Sequence, residues 1–287
     1  MTFPTSAITL PQTSPTSSGS IPPRCAAPPF NPSRAPRRKR AYYRERAGGR
    51  VARGVSVVTA TYCERENIRP LVERVRGALE GFEHEVIVVD DTSPDGTYEE
   101  AARWADRVLL MRRAGQTRCL LEGIRAARYP VVVTLDADLE NPPELIPALL
   151  EAFEGRGADL LVASRTVIPR ASERFASATL GRIVGVRDVF SNFRVYRRDL
   201  FAGYRLRLGE TFGGELLAHA WLSGFRIAEY LYEPPPRRAK PRIGGSLKAN
   251  ARIAKATLKL LAWIAANRLL ARERGKKSLV GGGARPV

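Results

Sequence analysis

The sequence predicts an α/β protein built on a mostly parallel, Rossmann-like sheet flanked by helices. Three observations predict it. Short β-branched apolar runs alternate with amphipathic stretches of helical length, the pattern of a doubly wound sheet. The runs are apolar throughout rather than at every second residue, as strands covered on both faces are. Several runs end in polar or acidic residues, at the edge where such sheets gather their ligands.

The elements follow in order from residue 54. VSVVTA (55–60) is long enough for a buried strand and too short for a helix. Residues 64–81 place Ile68, Leu71, Val72, Val75 and Leu79 on one helical face, with Gly81 as the expected stop. HEVIVVD (84–90) is a second strand, 97–105 a helix and RVLLM (107–111) a third strand. Residues 116–129 form a helix and VVVTL (131–135) a fourth strand. Residues 142–155 start on prolines, which the first turn of a helix tolerates, and DLLVAS (159–164) is a fifth strand. A further apolar helix is expected around 211–222. Its His219, like His84 at the head of the second strand, reads as structural.

Charge separates the chain into parts. The formal net charge is +18, but residues 1–53 hold +9 of it and 234–287 hold +13, which leaves 54–233 at −4. The organisation expected is a disordered basic tail over 1–53, a catalytic domain over 54–245, and an amphipathic basic helix with a flexible tail over 246–287. The Pro-, Ser- and Thr-rich start buries too little to offset ordering entropy. It also lacks the basic and apolar regions of a signal peptide. Three cysteines at irregular spacing, Cys25, Cys63 and Cys119, give no disulfide framework and fit a reducing, cytosolic compartment. No apolar run reaches the ~18 residues of a membrane span.

The chemistry sits at the strand ends. The first strand runs into Thr61-Tyr62-Cys63-Glu64, the second into Asp90-Asp91-Thr92-Ser93, and the fourth into Asp136-Ala137-Asp138 with Glu140 two residues on. An Asp-X-Asp leaving a strand turns alternate side chains to one side. Crowded carboxylates of this kind need a cation or strong donors. Their hard oxygens suit Mg²⁺ or Mn²⁺, which bridge to substrate phosphates.

Taken together, VVTATYCERENI, VVDDTSPDGT, LDADLENPPEL, VASR and DVFSNF resemble family 2 glycosyltransferases of the GT-A fold. Within that family they look most like the dolichol-phosphate mannose synthases and related polyprenyl-phosphate glycosyltransferases, over roughly residues 54–260. The resemblance implies an inverting transfer of a hexose, mannose first, from a nucleotide sugar to a dolichyl or polyprenyl phosphate. It implies GDP-mannose as donor before UDP-glucose. Ala60, Tyr62 and Glu64 stand in the family's Pro-Thr-Tyr-Asn-Glu motif, with Ala and Cys replacing Pro and Asn. They would contact the nucleotide, together with Asp91, Asp136 and Ala137. Asp136, Asp138 and Glu140 would hold the metal, Glu140 standing where the family has Gln. Thr92 replaces a family Gly, and 111–117 keeps only Gly115 and arginine from a glycine-rich loop. Arg165, Arg174, Ser191, Arg242 and Ser246 would bind the acceptor phosphate. Asp136, Asp138 and Arg165 are the expected catalytic residues. No general base is named, since a phosphate monoester is already largely anionic near neutral pH.

The C-terminal segment places Lys248, Arg252, Lys255 and Lys259 within about 60° of one another on a helix, with Ile253, Leu260, Leu261, Trp263 and Ile264 on another face. This reads either as a helix in a membrane interface or as one packed on the catalytic domain with a solvated basic face. The expectation is a peripheral protein on the cytosolic face of a membrane, and the resemblance admits a membrane partner subunit. Two alternatives stand beside it: a family 2 transferase using UDP-glucose or a saccharide acceptor, and a nucleic-acid-binding protein on a degenerate α/β scaffold. The second leaves the ordered acidic motifs unexplained, because they would repel phosphate backbones.

Overall fold

Two apolar layers cover a seven-stranded sheet, and each strand divides its side chains between them. In the computed structural model, residues 54–235 and 246–280 are described, with side chains from 54 to 235 and 247 to 270. The expected tail over 1–53, Arg242 and the Ser246 side chain lie outside that set. The strands are β1 (Val55–Thr61), β2 (His84–Asp90), β3 (Arg107–Leu110), β4 (Val131–Thr134), β5 (Leu160–Arg165), β6 (Arg194–Arg197) and β7 (Ile227–Tyr232). Their order across the sheet is β3-β2-β1-β4-β6-β5-β7. The longer helices are α1 (Arg65–Ala78), α2 (Thr97–Trp104), α3 (Gln116–Ala126), α4 (Ile146–Gly155), α5 (Ala171–Ala176), α6 (Gly214–Leu222) and α7 (Ser246–Val280).

The strand runs behave as their composition requires. Val57, Val86, Val88 and Val133 face one layer with Ile68, Leu71 and Val75 of α1 and Phe153 of α4. Val58, Ile87, Val89 and Val132 face the other, with Leu120 and Ile124 of α3, Leu216 and Leu217 of α6, and Ile253 and Leu260 of α7. Every side chain named on the α1 face is buried, Leu79 included. The helix itself ends earlier than Gly81: Leu79 caps it, and Gly81 serves the following turn at φ 82°.

Register sets the functional edge. Val55 pairs with His84 on one side and Val131 on the other, all in parallel, and Thr61 pairs with Asp90. Equal starts and a common rise bring the ends of β1, β2 and β4 to one edge. The expected parallel order holds for β1 to β4, but β5 does not follow β4 directly. β6 lies between them and runs antiparallel to both. It is four residues, RVYR, with an arginine at each end, and so carries no apolar run to read. Arg194 is nevertheless fully buried, because its guanidinium donates to the carbonyls of Gly213 (2.8 Å) and Val189 (2.9 Å).

α3 lies close on β1 and β2 because position 123 has no side chain. A Cβ there would stand 2.3 Å from Val58 Cγ1 and 2.9 Å from Val89 Cγ2. Gly123→Val is expected to destabilise the fold by about 2–3 kcal/mol through overpacking, read as a lower urea midpoint at unchanged slope.

Candidate active site

Asp136 follows β4 at the carboxyl edge, where it is taken from water and handed amide donors. Gln116 Nε2, at the start of α3, donates to its Oδ1 at 2.8 Å, and Asn192 Nδ2 donates to the same oxygen at 3.3 Å. Asn141 Nδ2 donates to Oδ2 at 3.3 Å. Burial, and then the neighbouring Asp138 charge, still push the Asp136 carboxyl up to about 7, against these amides and Arg165. Asp138 is more exposed, and its Oδ1 accepts the Glu140 N–H at 3.0 Å.

These groups line a pocket of about 390 Å³. Ala60, Glu64, Gln116, Asp136, Asp138 and Glu140 contribute to its lining. Arg165, Arg170 and Arg252 line it too, with apolar surface from Val167, Phe190 and Phe212. The oxygen chemistry of the acidic lining fits a hard divalent cation that shares its coordination with substrate phosphate oxygens. Among the described residues no three His, Cys, Asp or Glu side chains converge as a ligand set of their own.

The loops that carry this site are held in costly backbone. Cys63, Thr92, Arg113, Leu139 and Phe212 all have positive φ, between 50° and 61°. The first four lie in the loops after β1, β2, β3 and β4, and the fifth precedes α6. Such conformations cost roughly 1–2 kcal/mol each for residues with a Cβ and persist where neighbours over-determine them. The neighbours are visible: Ser93 Oγ accepts the Cys63 N–H at 2.9 Å, and Thr92 Oγ1 donates to the Met111 carbonyl. Thr92 thus occupies a left-handed position suited to the glycine it replaces.

The expected site residues divide by location. Ala60, Glu64, Ala137, Asp136, Asp138 and Glu140 are on the pocket wall, as are Arg165 and Ser191. Tyr62 and Asp91 are not. Asp91 accepts the N–H groups of Ala114 (2.6 Å) and Gly115 (2.9 Å), tying the β2 loop to the β3 loop. The Tyr62 ring carries the Arg113 guanidinium at 4.3 Å. Arg174 turns away: its Nη1 donates to the carbonyls of Pro169 (2.8 Å) and Ile168 (3.4 Å). One turn earlier on the chain, Arg170 takes the wall position instead. Ser191 Oγ donates to the Ala163 carbonyl at 2.7 Å and so braces the wall. Asn192 does not have positive φ. Its side chain reaches Asp136.

Arg165 is fixed from behind. Its Nε donates to Asp188 Oδ2 at 2.6 Å, and its Nη2 reaches Asp188 Oδ1 and Glu173 Oε2, each at 3.3 Å. This commits Asp188 to holding Arg165. Glu215 is likewise committed, fully buried and accepting from Tyr204 Oη (2.7 Å) and the Arg207 and Leu208 N–H groups. His219 stacks on Tyr204 with ring centroids 3.7 Å apart, a packing role. Sequence reasoning missed Gln116, Asn141, Arg170 and Arg252. The VIPR stretch after Arg165 held the signal for Arg170.

An acidic pocket at the carboxyl edge of a mostly parallel sheet, with one reversed strand beside it, defines a GT-A-type fold. The chain belongs to glycosyl transferase family 2, whose model matches residues 56–213. A polyprenol monophosphomannose synthase of Mycolicibacterium smegmatis is 31% identical over 72% of this chain and 85% of its own length. A dolichol-phosphate mannosyltransferase of Pyrococcus furiosus is 34% identical over 53% of this chain and 48% of its own. A dodecaprenyl-phosphate galacturonate synthase of Rhizobium johnstonii is 33% identical over 59% and 54%. The chain therefore spans about half the length of these last two relatives. Among solved structures, glucosyl-3-phosphoglycerate synthase of Mycobacterium tuberculosis superposes with a TM-score of 0.60 at 23% identity, covering 76% of this chain and 80% of that one. At that identity the likeness concerns the fold.

The Asp136 environment has a consequence for stability without metal. The folded protein keeps this proton up to about pH 7, whereas an unfolded chain releases it near ~3.9. The folded state therefore binds more protons in between, and its stability falls as pH rises through that window. In EDTA, urea unfolding at pH 5 and pH 7 is expected to show this loss in the wild type and a flatter profile in Asp136→Asn.

Proposed function

We propose that the protein transfers a hexose from a nucleotide diphospho-sugar to a polyprenyl phosphate of the dolichyl type. The observation that carries this reading is a single pocket lined both by carboxylates (Asp136, Asp138, Glu140) and by Arg165, Arg170 and Arg252 among apolar side chains. Three polyprenyl-phosphate relatives at 31–34% identity support the acceptor class. GDP-mannose is the first donor to test and UDP-glucose the second. Mannose in two relatives' names favours the former.

A divalent cation, Mg²⁺ or Mn²⁺, held by Asp138 with Asp136 and Glu140, would neutralise the departing diphosphate. A related fold has been crystallised with Mn²⁺ and UDP, which supports a divalent ion. Gln116, Asn141 and Asn192 fix the Asp136 carboxylate in place. Glu64 and Ala60 line the donor end, where the nucleotide belongs. Arg165, held by Asp188 and Glu173, presents a pre-oriented guanidinium to the acceptor phosphate, and Arg170 and Arg252 add to that field. An acceptor oxygen attacks the anomeric carbon as the bond to the nucleoside diphosphate breaks, inverting the centre. The acceptor is anionic near neutral pH, so the residues act by positioning and electrostatics rather than by taking a proton. A peripheral site on the cytosolic face of a membrane, with or without a membrane partner subunit, follows from the lipid acceptor. The acidic lining weighs against the nucleic-acid alternative.

The test is transfer from radiolabelled GDP-mannose, UDP-glucose and UDP-GlcNAc to dolichyl phosphate, with Mn²⁺ or with EDTA. Metal-dependent lipid labelling from one donor is expected. Nucleotide-sugar hydrolysis without lipid labelling would point to another acceptor. Asp138→Ala is expected to lose at least ~100-fold in transfer while keeping its unfolding midpoint. Substantial residual transfer would remove the metal assignment.

A further inference from the structure

α7 carries two apolar faces. The face read from sequence as meeting either a membrane or the catalytic domain packs on the body: Ala249, Ile253, Ala256, Thr257, Leu260 and Ile264 are buried. The helix is pinned there by polar contacts as well. Ser172 Oγ donates to Asn250 Oδ1 at 2.6 Å, Lys259 Nζ donates to the Leu208 carbonyl at 3.2 Å, and Arg268 stacks on Trp221 at 4.5 Å.

On the opposite side, at 100° per residue, Leu247, Ala251, Leu258, Ala262, Ala265 and Leu269 fall within about 60° of one another. All six are exposed. Leu247 is 84% accessible, Leu258 58% and Leu269 60%. Lys248, Lys255 and Arg252 run directly beside this stripe. An apolar stripe bordered by cations fits a surface with an anionic outer layer and a hydrocarbon interior.

We propose that this outward stripe of α7 docks on an anionic lipid bilayer, with the leucines entering the interface and the lysines meeting headgroups. Continuity with the pocket supports the lipid over other occupants. Ala249, Arg252 and Ile253 of the same helix line the pocket, and Val167 on its wall is 65% accessible. A helix lying on the bilayer thereby sets Arg252 and the pocket it lines beside the surface from which a prenyl phosphate is drawn. The proposal rests on the lipid-acceptor reading for its purpose, but its binding test does not.

The experiment uses the full chain and the variant Leu247→Glu/Leu258→Glu/Leu269→Glu, none of which is on the pocket wall. Co-sedimentation is measured with vesicles of phosphatidylcholine alone and with added phosphatidylglycerol. Wild type is expected to bind the anionic vesicles, more weakly at high salt, and the triple variant at least about tenfold less. Thermal unfolding of the variant and its transfer to a short, water-soluble prenyl phosphate are expected to stay unchanged. Equal vesicle binding by the two proteins overturns the proposal, because the basic ends alone would then account for it. A wild-type dimer that the three glutamates dissociate also overturns it, assigning the stripe to a second copy. Vesicle binding lost in the variant, with no transfer by wild type to any acceptor, sustains the docking face and removes the reaction.

Discussion

The site depends on a carboxyl group placed where its charge is costly. Asp136 sits at the end of a buried strand beside a second acid, and each condition alone raises the cost of its charge. Three amides answer that cost in part. They come from α3 (Gln116), from the loop after β4 (Asn141) and from the loop before β6 (Asn192). Three separate segments are therefore drawn to one point by a single side chain. Amides stabilise a carboxylate without neutralising it, and the remaining penalty is what a bound cation would relieve.

The same logic separates working carboxylates from structural ones. Asp90, Asp91, Asp95 and Glu215 accept from backbone N–H groups and are consumed by the loops they hold. Asp188 and Glu173 are consumed by Arg165. The acids that line the pocket are Glu64, Asp136, Asp138, Glu140 and Glu173, together with Arg165, Arg170 and Arg252. Positive-φ residues lie in the same loops, so local strain and ligand-facing charge share an edge.

The sequence disclosed whatever rested on uninterrupted apolar runs. HEVIVVD matched β2 end for end, and the α1 face was buried residue for residue. β6 was illegible because a four-residue strand with an arginine at each end looks like surface, and the carbonyls of Val189 and Gly213, with Tyr196 Oη, receive the buried Arg194 guanidinium. The acidic lining was legible because its residues are close in sequence. The basic lining was not, because it is assembled from Arg165, Arg170 and, more than eighty residues on, Arg252. The resemblance pointed to Arg174, whose guanidinium is held by the Pro169 carbonyl, whereas Arg170, about one helical turn earlier, lines the pocket.

α7 shows why a hydrophobic face on a helix does not by itself name its partner. Ile253, Leu260 and Ile264 satisfy the amphipathic pattern of a membrane helix, yet they close the core beneath α5 and α6. Their burial fixes the rotation of the helix, and that rotation decides what is left outside. Because Asn250 is clamped to Ser172, the helix cannot roll to exchange one face for the other without breaking a hydrogen bond and exposing Leu260. The basic flank is therefore held at a constant angle to the pocket, with Arg252 on the wall and Lys248 and Lys255 outward. A surface that engages the lysines meets a pocket already oriented toward it.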